Sequence, residues 1–197
     1  MIRRPMRLFT ALALFAFAAT GAMAANPQVE LDTTLGKIRI ELYPDAAPKT
    51  VANFLQYVKD GFYAGTQFHR VIPGFMIQGG GYAADYKEKP TRPPVPIESE
   101  QSLKAGHSNG VGTLAMARTN NPNSASAQFF INVADNRRLD FHSPDARGYG
   151  YTVFGKVVDG MDVVNKIAAM PTGPGGPFAG DVPKQAVMIN SAKVVTP

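Results

Sequence analysis

Short apolar segments separated by glycine, proline, asparagine and aspartate make up most of the chain after residue 25. This pattern is typical of strands joined by turns. It predicts at least eight strands, drawn from segments 29–31, 38–42, 67–71, 75–78, 95–98, 112–117, 128–133, 152–157 and 187–195. Segment 33–36 (TTLG) ends in glycine, and we expect it to join the first two strands in a hairpin.

Two segments have the helical spacing of apolar residues. The first carries Val51, Phe54, Leu55 and Val58, with Pro48 near its start and Gly61 as a stop. The second carries Met161, Val164, Ile167 and Ala168, between a predicted N-cap at Asp159 and a stop at Pro171. Proline-rich segment 88–96 is expected to be an extended connection and glycine-rich segment 170–182 a surface loop. Two helices among many strands, without strict alternation, predict a mainly β antiparallel barrel or sandwich with the helices over its ends.

The N-terminal segment has the three parts of a secretory signal peptide. Residues 1–7 carry Arg3, Arg4 and Arg7 without an acid, residues 8–20 are almost wholly apolar, and Ala22-Met23-Ala24 supplies a cleavage site. The competing interpretation is a membrane anchor, but the apolar run has 13 residues and a spanning helix needs about 20. We therefore predict a leader over residues 1–24, a mature domain over residues 25–197 and a periplasmic location.

Charge and composition exclude several classes of function. The formal net charge is +5, and it falls to +2 once the three leader arginines are removed. The mature chain has no run of five or more basic residues, so nucleic-acid binding is not expected. The chain contains no cysteine, which excludes disulfides, thiolate metal sites and a thiol nucleophile.

Three potential motifs lack the context that their chemistry requires. Segment 106–110 (GHSNG) matches the nucleophile elbow of hydrolases, but no buried strand precedes its serine. Segment 79–84 (GGGYAA) matches a loose dinucleotide fingerprint, but the following prolines prevent the helix that would bind the pyrophosphate. We interpret both as turns. The histidines His69, His107 and His142 have no metal-ligand spacing, so no metal is predicted.

Segment 68–80 (FHRVIPGFMIQGG) places an arginine among apolar residues. A turn at Pro73-Gly74 would bring Gln78 back beside Arg70, since residues two apart on a strand share a face. The result would be a guanidinium at the edge of an apolar surface formed by Phe75 and Met76. A core arginine paired with a carboxylate explains the same pattern equally well.

A second segment decides between these interpretations. Residues 114–131 combine L-x-M-A with S-x-QFFI, and with segment 68–80 they make the chain resemble the cyclophilin-type peptidyl-prolyl isomerases. The resemblance covers about residues 29–195 and, with the leader, is similar to the periplasmic bacterial branch. It implies a closed eight-stranded antiparallel β-barrel capped by two α-helices. It also implies catalysis of rotation about X-Pro bonds, without a cofactor.

The resemblance also implies the roles of individual residues. The catalytic group corresponds to Arg70, Phe75 and Gln78. The proline pocket is formed by Phe75, Met76, Phe130 and Leu139, and a second amide is supplied by Gln128. Further substrate contacts correspond to Ala117, Arg118, Thr119 and Tyr151, the first three on a peptide-contacting strand.

Two rim positions differ from the best-known eukaryotic pattern. Arg138, just before Leu139, stands in place of a tryptophan, and Tyr151 stands in place of a histidine. Tyrosine still offers a ring and a hydroxyl, but Arg138 removes a flat apolar surface with an N–H donor. We therefore expect weak binding of inhibitors of the cyclosporin class.

The implied partners are unfolded or partly folded proline-containing polypeptides. We expect a monomer that binds no membrane once the leader is removed. The alternative is a secreted peptide-binding or chaperone-like module that holds such chains without turnover. A purely structural barrel is a third interpretation, but it leaves Arg70 unexplained.

Overall fold

The computed structural model describes residues 25–196. The predicted leader and its cleavage site lie outside these residues. Within them, no helix combines the length and the apolar character that crossing a membrane requires.

The described chain contains eleven strands and three α-helices. The strands are β1 (Gln28–Thr33), β2 (Gly36–Leu42), β3 (Thr66–Gln67), β4 (Arg70–Ile72), β5 (Met76–Gly79), β6 (Thr113–Met116), β7 (Phe129–Asn132), β8 (Val153–Asp159), β9 (Thr172–Gly175), β10 (Phe178–Pro183) and β11 (Met188–Val195). The helices are α1 (Pro48–Lys59), α2 (Ser99–Lys104) and α3 (Met161–Ala168), and a 3-10 turn covers Arg137–Leu139.

Nine strands form one curled antiparallel sheet in the order β3-β11-β1-β2-β8-β6-β7-β5-β4. The prediction of a mainly β antiparallel fold is therefore confirmed. The strand count differs because the predicted strand over 67–71 is interrupted at Phe68-His69, which separates β3 from β4. These two strands stand at opposite ends of the sheet order, so no continuous ladder closes the sheet. The end at β3 meets the segment that follows β5 through the isolated bridge Thr66–Ala83 and a hydrogen bond from the N–H of Gln67 to the carbonyl of Tyr82 at 2.9 Å.

Both predicted helices are present, with buried faces at the expected spacing. In α1 the buried residues include Val51, Phe54 and Val58, and in α3 they include Val164 and Ile167. The predicted N-cap of α3 is wrong by one residue. Asp159 ends β8, and Gly160 occupies the cap in a left-handed conformation that glycine adopts without steric cost.

Two segments differ from their predicted structure. Segment 95–98 forms only an isolated bridge from Val95 to Ala125, and α2, which was not predicted, follows it. The carboxylate of Glu98 instead accepts hydrogen bonds from the backbone N–H groups of Lys49 and Thr50 at the start of α1. Segment 170–182, predicted as a loop, contains the β9–β10 hairpin. The glycines and prolines of this segment are typical of loops, so the strand pair was not predicted. The pair packs against β4.

Two separate apolar clusters lie inside the fold. The larger one fills the sheet interior under α1 and α3 and includes Phe54, Phe129 and Phe154. The smaller one contains Met76, Ala115, Phe130 and Val153 and lies on the other face of the central strands. Strand alternation produces this division, because Phe129 and Phe130 are neighbours on β7 that point in opposite directions. The smaller cluster forms the floor of the candidate site.

Candidate active site

A cavity of about 310 Å³ opens on the outer face of β5, β6 and β7. It is lined by Arg70, Phe75, Met76, Gln78, Ala117, Arg118, Phe130, Leu139 and Tyr151. All nine belong to the set predicted from the sequence. The structure thus brings together residues from five stretches of the chain, at 70–78, 117–118, 130, 139 and 151.

The floor of the cavity is apolar and well packed. Met76 is 2% exposed and Phe130 is 5% exposed, and both pack with Ala115 and Val153. The partly buried side chains Phe75, Leu139 and Tyr151 pack around this floor as walls. Such a concave apolar surface is suited to a small ring that carries no hydrogen-bonding group.

One side of the cavity is formed by the β4–β5 hairpin. Arg70 and Gln78 are register partners across this hairpin, which confirms that the turn at Pro73-Gly74 brings them together. Nη1 of Arg70 donates to Oε1 of Gln78 at 3.4 Å. Nε2 of Gln78 donates to Oε1 of Gln128 at 3.0 Å, and Nε2 of Gln128 donates to Oε1 of Glu88 at 3.3 Å. Successive hydrogen bonds therefore connect the guanidinium to the carboxylate of Glu88 through the two glutamine side chains.

The opposite wall is held by Arg118 and by backbone contacts. Nε of Arg118 donates to the carbonyl of Gly150 at 2.7 Å, and its guanidinium carbon lies 4.8 Å from the ring centre of Tyr151. The backbone N–H of Tyr151 donates to the carbonyl of Leu139 at 2.9 Å. The ring of Tyr151 meets that of Phe130 edge to face, with centres 5.5 Å apart. These contacts fix the wall relative to the floor.

A buried network of amide groups lies behind the cavity. Nδ2 of Asn136 donates to the carbonyl of Phe75 at 2.8 Å. The backbone N–H and Nδ2 of Asn109 both donate to Oδ1 of Asp140, at 2.7 and 2.8 Å. Because Asp140 follows Leu139 directly, the network fixes the backbone on both sides of the cavity mouth. These network residues were not among the site residues predicted from the sequence.

Two of the predicted site residues lie beside the cavity and not in its lining. Thr119 and Gln128 border an adjoining depression of about 200 Å³, which also includes Glu88 and Ser124. The prediction of a strand over residues 117–119 is wrong, because β6 ends at Met116. The backbone N–H of Thr119 donates to Oγ of Ser124 at 2.9 Å and not to a neighbouring strand.

Arg138 occupies the rim, where the sequence departs from the eukaryotic pattern. Its guanidinium carbon lies 4.9 Å from the ring centre of Phe75, within the range of a cation–π contact. The side chain is exposed. It therefore presents a charged group above the wall of the cavity, where a tryptophan would present an apolar ring.

One charged residue at the site was not predicted from the sequence. Oδ2 of Asp181 lies 3.7 Å from Nε of Arg70, and both side chains are about half exposed. Asp181 belongs to β10, in the segment predicted as a loop. The large apolar residues of β10, Phe178 and Val182, are four positions apart, so no apolar alternation indicated a strand, and the surrounding glycines and prolines are typical of a loop.

The residue next to Arg70 on the chain is a buried histidine. His69 is 2% exposed and packs against the rings of Tyr82 and Phe178. Burial lowers the pKa of His69 to about 4, and the positive charge of Arg70 acts in the same direction. His69 is thus neutral at physiological pH, and of these two neighbouring residues only Arg70 carries a positive charge.

Among the described residues, no three His, Cys, Asp or Glu side chains are placed to hold a metal ion together. The chemistry that the cavity can perform follows from its two parts. The apolar floor can hold a ring, and the donors of Arg70 stand at its edge. Hydrogen-bond donors fixed beside an apolar pocket can stabilise charge that develops on a bound amide.

Comparisons with known proteins agree with this geometry. The model of the cyclophilin type peptidyl-prolyl cis-trans isomerase family matches residues 28–194. A peptidyl-prolyl cis-trans isomerase of Acinetobacter baylyi is 55% identical over 170 residues, which cover 86% of each chain. Peptidyl-prolyl cis-trans isomerase B of Escherichia coli is 52% identical over 84% of this chain and 98% of its own length.

Solved structures give the same result for the fold. A cyclophilin type isomerase of Cryptosporidium parvum superposes with a TM-score of 0.68 at 25% identity, over 87% of this chain and 99% of its own. A second structure of that protein, determined in the presence of the dipeptide Ala-Pro, superposes with a TM-score of 0.67 at 26% identity, over 86% of this chain and 99% of its own.

Proposed function

The chain belongs to the cyclophilin-type family and is a peptidyl-prolyl cis-trans isomerase; we propose that it acts on X-Pro bonds of exported polypeptides while they fold. Its substrates in this proposal are unfolded or partly folded chains that contain proline. The observation that carries its action on X-Pro bonds is the position of Arg70 at the edge of an apolar cavity that can accept a proline ring.

The uncatalysed reaction is slow because rotation breaks the resonance of the amide bond. The two isomers of an X-Pro bond differ by only about 0.5–1 kcal/mol, yet they interconvert over tens of seconds or longer. No bond is cleaved. A catalyst therefore has to bind the ring, separate the nitrogen lone pair from the carbonyl and stabilise the twisted state.

Each of these tasks can be assigned to residues of the cavity. Phe75, Met76, Phe130 and Leu139 would hold the proline ring against the floor. Arg70 would donate to the substrate, including the nitrogen, whose lone pair becomes available only when the amide twists. Such a bond is stronger in the transition state than in the planar ground state, which is the condition for catalysis.

Gln78 supports this arrangement from the side. Its amide oxygen accepts from Arg70 and its amide nitrogen donates to Gln128, so its orientation is fixed from both ends. A fixed acceptor limits the rotamers of the long arginine side chain. The donors then need less reorganisation when substrate binds.

The proposal that the substrates are exported proteins rests on the N-terminal pattern. Residues 1–24 combine three arginines, an apolar run and a small-residue cleavage site. We propose that this segment directs the chain to the periplasm and is removed there. The mature protein would then meet polypeptides that have just crossed the membrane and are not yet folded.

An isomerisation assay without protease tests turnover directly. The exchange rate of a short X-Pro peptide is measured by NMR with and without the mature protein, residues 25–197. We expect line broadening of both isomers at catalytic concentrations of enzyme. Binding without faster exchange would favour the peptide-binding module that holds chains without turnover.

A second experiment tests the cellular role. An exported protein whose refolding is limited by X-Pro isomerisation is refolded with the mature protein or with its Arg70→Ala variant. Cell fractionation of the full chain then shows its location. Accelerated refolding and recovery in the periplasmic fraction are expected. Recovery of the whole chain in the cytoplasm would contradict the proposed role in export.

A further inference from the structure

We propose that Asp181 is a positioning residue for Arg70, presented by a bulge in the β9–β10 hairpin. The inference rests on the proposed function, since it concerns the orientation of the arginine that acts on the X-Pro bond. It assigns a role to a hairpin that lies outside the two sequence motifs of the site.

The guanidinium of Arg70 is contacted on two different edges. Gln78 accepts from Nη1 at 3.4 Å, and Oδ2 of Asp181 lies 3.7 Å from Nε. Within residues 25–196, Asp181 is the only acidic residue whose carboxylate lies within 4.0 Å of this guanidinium. An exposed arginine samples many rotamers. Contacts on two edges of the guanidinium favour a subset of these rotamers. In this subset the remaining N–H groups are available to a ligand in the cavity.

The backbone around Asp181 departs from regular strand geometry. Phe178 pairs with Gly175 and Val182 pairs with Gly173, so β10 advances four residues while β9 advances two. Bulges of this kind change the direction of a side chain and are frequent beside active sites. Asp181 has a φ of +63°, in the left-handed region, where a residue other than glycine is under strain.

The strain favours a functional role over a role in the turn alone. Glycine would adopt this conformation without cost, and asparagine tolerates it about as well as aspartate. What aspartate adds is a negative charge. That charge lies beside the guanidinium of Arg70, which gives a reason for an acid at a position where the backbone does not require one.

The hairpin that presents Asp181 is anchored next to Arg70. The ring of Phe178 stacks on that of His69 with centres 5.4 Å apart and meets Tyr82 at 5.1 Å. Val182 is 3% exposed. Because His69 precedes Arg70 on the chain, the hairpin docks on the same short segment that carries the arginine, and its position relative to the guanidinium is fixed.

The carboxylate has two opposing effects on catalysis. It orients the arginine, which favours reaction, and it reduces the positive potential at the cavity, which opposes reaction. Neutralising Asp181 therefore lowers the rate if orientation dominates and raises it if charge dominates. The contacts of Arg70 with Gln78 and Asp181, together with the strained backbone of Asp181, indicate that the effect on orientation is larger than the effect on potential.

The experiment compares Asp181→Asn, Asp181→Gly and Asp181→Glu with the unaltered protein in the X-Pro peptide assay. Asn and Gly both allow the left-handed backbone but remove the charge. For a half-exposed ion pair we expect kcat/KM to fall about two- to five-fold in both, mainly through kcat. Gly should at the same time raise the melting temperature, since it relieves strain. Glu should recover part of the activity.

A spectroscopic measurement follows the arginine itself. The order parameter of the Nε–Hε group of Arg70, measured by NMR relaxation, reports the mobility of the guanidinium. We expect this order parameter to fall in Asp181→Asn. A matched control is Asp60→Asn, which removes an exposed ion pair with Arg92 elsewhere on the surface and should change neither activity nor the Arg70 signal.

The inference would be overturned by an unchanged or increased kcat/KM in Asp181→Asn, by an unchanged Arg70 signal in that variant, or by equal losses in Asp60→Asn. Failure of the proposed function is distinguishable from failure of this inference, because the unaltered protein would then show no turnover. Loss of activity with a lowered melting temperature in Asp181→Gly would indicate a structural role and would also contradict the inference.

Discussion

Arg70 and Gln78 face each other across the β4–β5 hairpin, and Nη1 of the arginine donates to Oε1 of the glutamine at 3.4 Å. The apolar floor of Met76 and Phe130 lies beside this pair. A cation whose donors are partly fixed at the edge of an apolar cavity acts on a substrate in a less polar environment than bulk water. Its hydrogen bonds there are worth more than on an open surface.

Arg70→Ala should remove most of the catalysis. The planar X-Pro nitrogen is a poor acceptor, whereas the twisted nitrogen accepts well, so a fixed cation stabilises the transition state selectively. Loss of one such donor costs on the order of 10²–10³ in rate. The NMR exchange assay measures the loss, and circular dichroism checks that the variant is folded.

Arg70→Lys should recover little of this activity, because an ammonium group lacks the planar fork of donors. This variant tests whether catalysis needs the planar geometry of the guanidinium or only a positive charge. A lysine variant with near-full activity would show that charge alone is sufficient. Full activity in folded Arg70→Ala would contradict the mechanism even though the family is established.

Phe75→Ala should act on binding as well as turnover. Phe75 forms a wall of the cavity, and its ring is partly buried against the floor. Removing it takes away apolar contact with the proline ring, and a loss of about 1.4–2.8 kcal/mol corresponds to a 10- to 100-fold lower kcat/KM. Peptide titration should show a raised KM. An unchanged KM would mean that the proline ring binds elsewhere.

Strand alternation and the turn at Pro73-Gly74 were sufficient to predict that Arg70 and Gln78 lie side by side in the β4–β5 hairpin, whereas the functional roles of these residues followed from the resemblance. The predicted neighbours Arg70 and Gln78 are register partners, because a tight turn leaves little freedom in the pairing of short strands. The apolar spacing in α1 and α3 was equally informative, since both helices bury one face.

The β9–β10 hairpin could not be predicted in the same way. Gly173, Gly175 and Pro177 are typical of loops, and the pairing that makes them strands depends on packing against β4. Residues distant in sequence, Phe178 and His69, provide that packing. The site residue Asp181 was therefore missed for a physical reason: its element is stabilised by tertiary contacts and not by local preference.

Arg138→Trp should increase the affinity for inhibitors of the cyclosporin class. In the unaltered protein Arg138 covers the ring of Phe75 with a charged group, and we expect weak inhibition. Tryptophan would supply an apolar surface and an N–H donor at the rim. Peptide turnover should remain within a few-fold.

Arg137→Trp is the matched control for this rim substitution, because Arg137 is also exposed but pairs with Asp135. Inhibition constants of the two variants are compared in one assay. Tight inhibition of the unaltered protein, or equal gains in both variants, would show that position 138 does not determine inhibitor binding.

The leader should be removed after Ala24, since Ala22 and Ala24 occupy the small-residue positions of the cleavage site. Intact-mass measurement of the protein purified from the periplasm tests this. A mature chain that begins at Ala25 is expected. A product that retains residues 1–24 in the membrane fraction would instead favour the anchor.

The stability of the fold should decrease between pH 6.5 and pH 4 because of His69. Its pKa is about 4 in the folded protein, whereas an unfolded histidine has a pKa near 6.5. Below pH 6.5 the unfolded chain takes up a proton that the folded chain does not accept. This difference in proton binding destabilises the folded protein as the pH falls. The destabilisation reaches about 3 kcal/mol at pH 4 and vanishes above pH 6.5.

Urea unfolding at several pH values, on the unaltered protein and on His69→Gln, measures this contribution. The carboxylates titrate in both proteins, so the difference between the two pH profiles isolates His69. We expect the profile of His69→Gln to be flatter between pH 4 and pH 6.5, even if this variant is less stable at neutral pH. His142→Gln, a change at an exposed histidine, is the control. Parallel profiles for His69→Gln and the unaltered protein would mean that His69 becomes protonated without cost and is not held in the buried position between Tyr82 and Phe178.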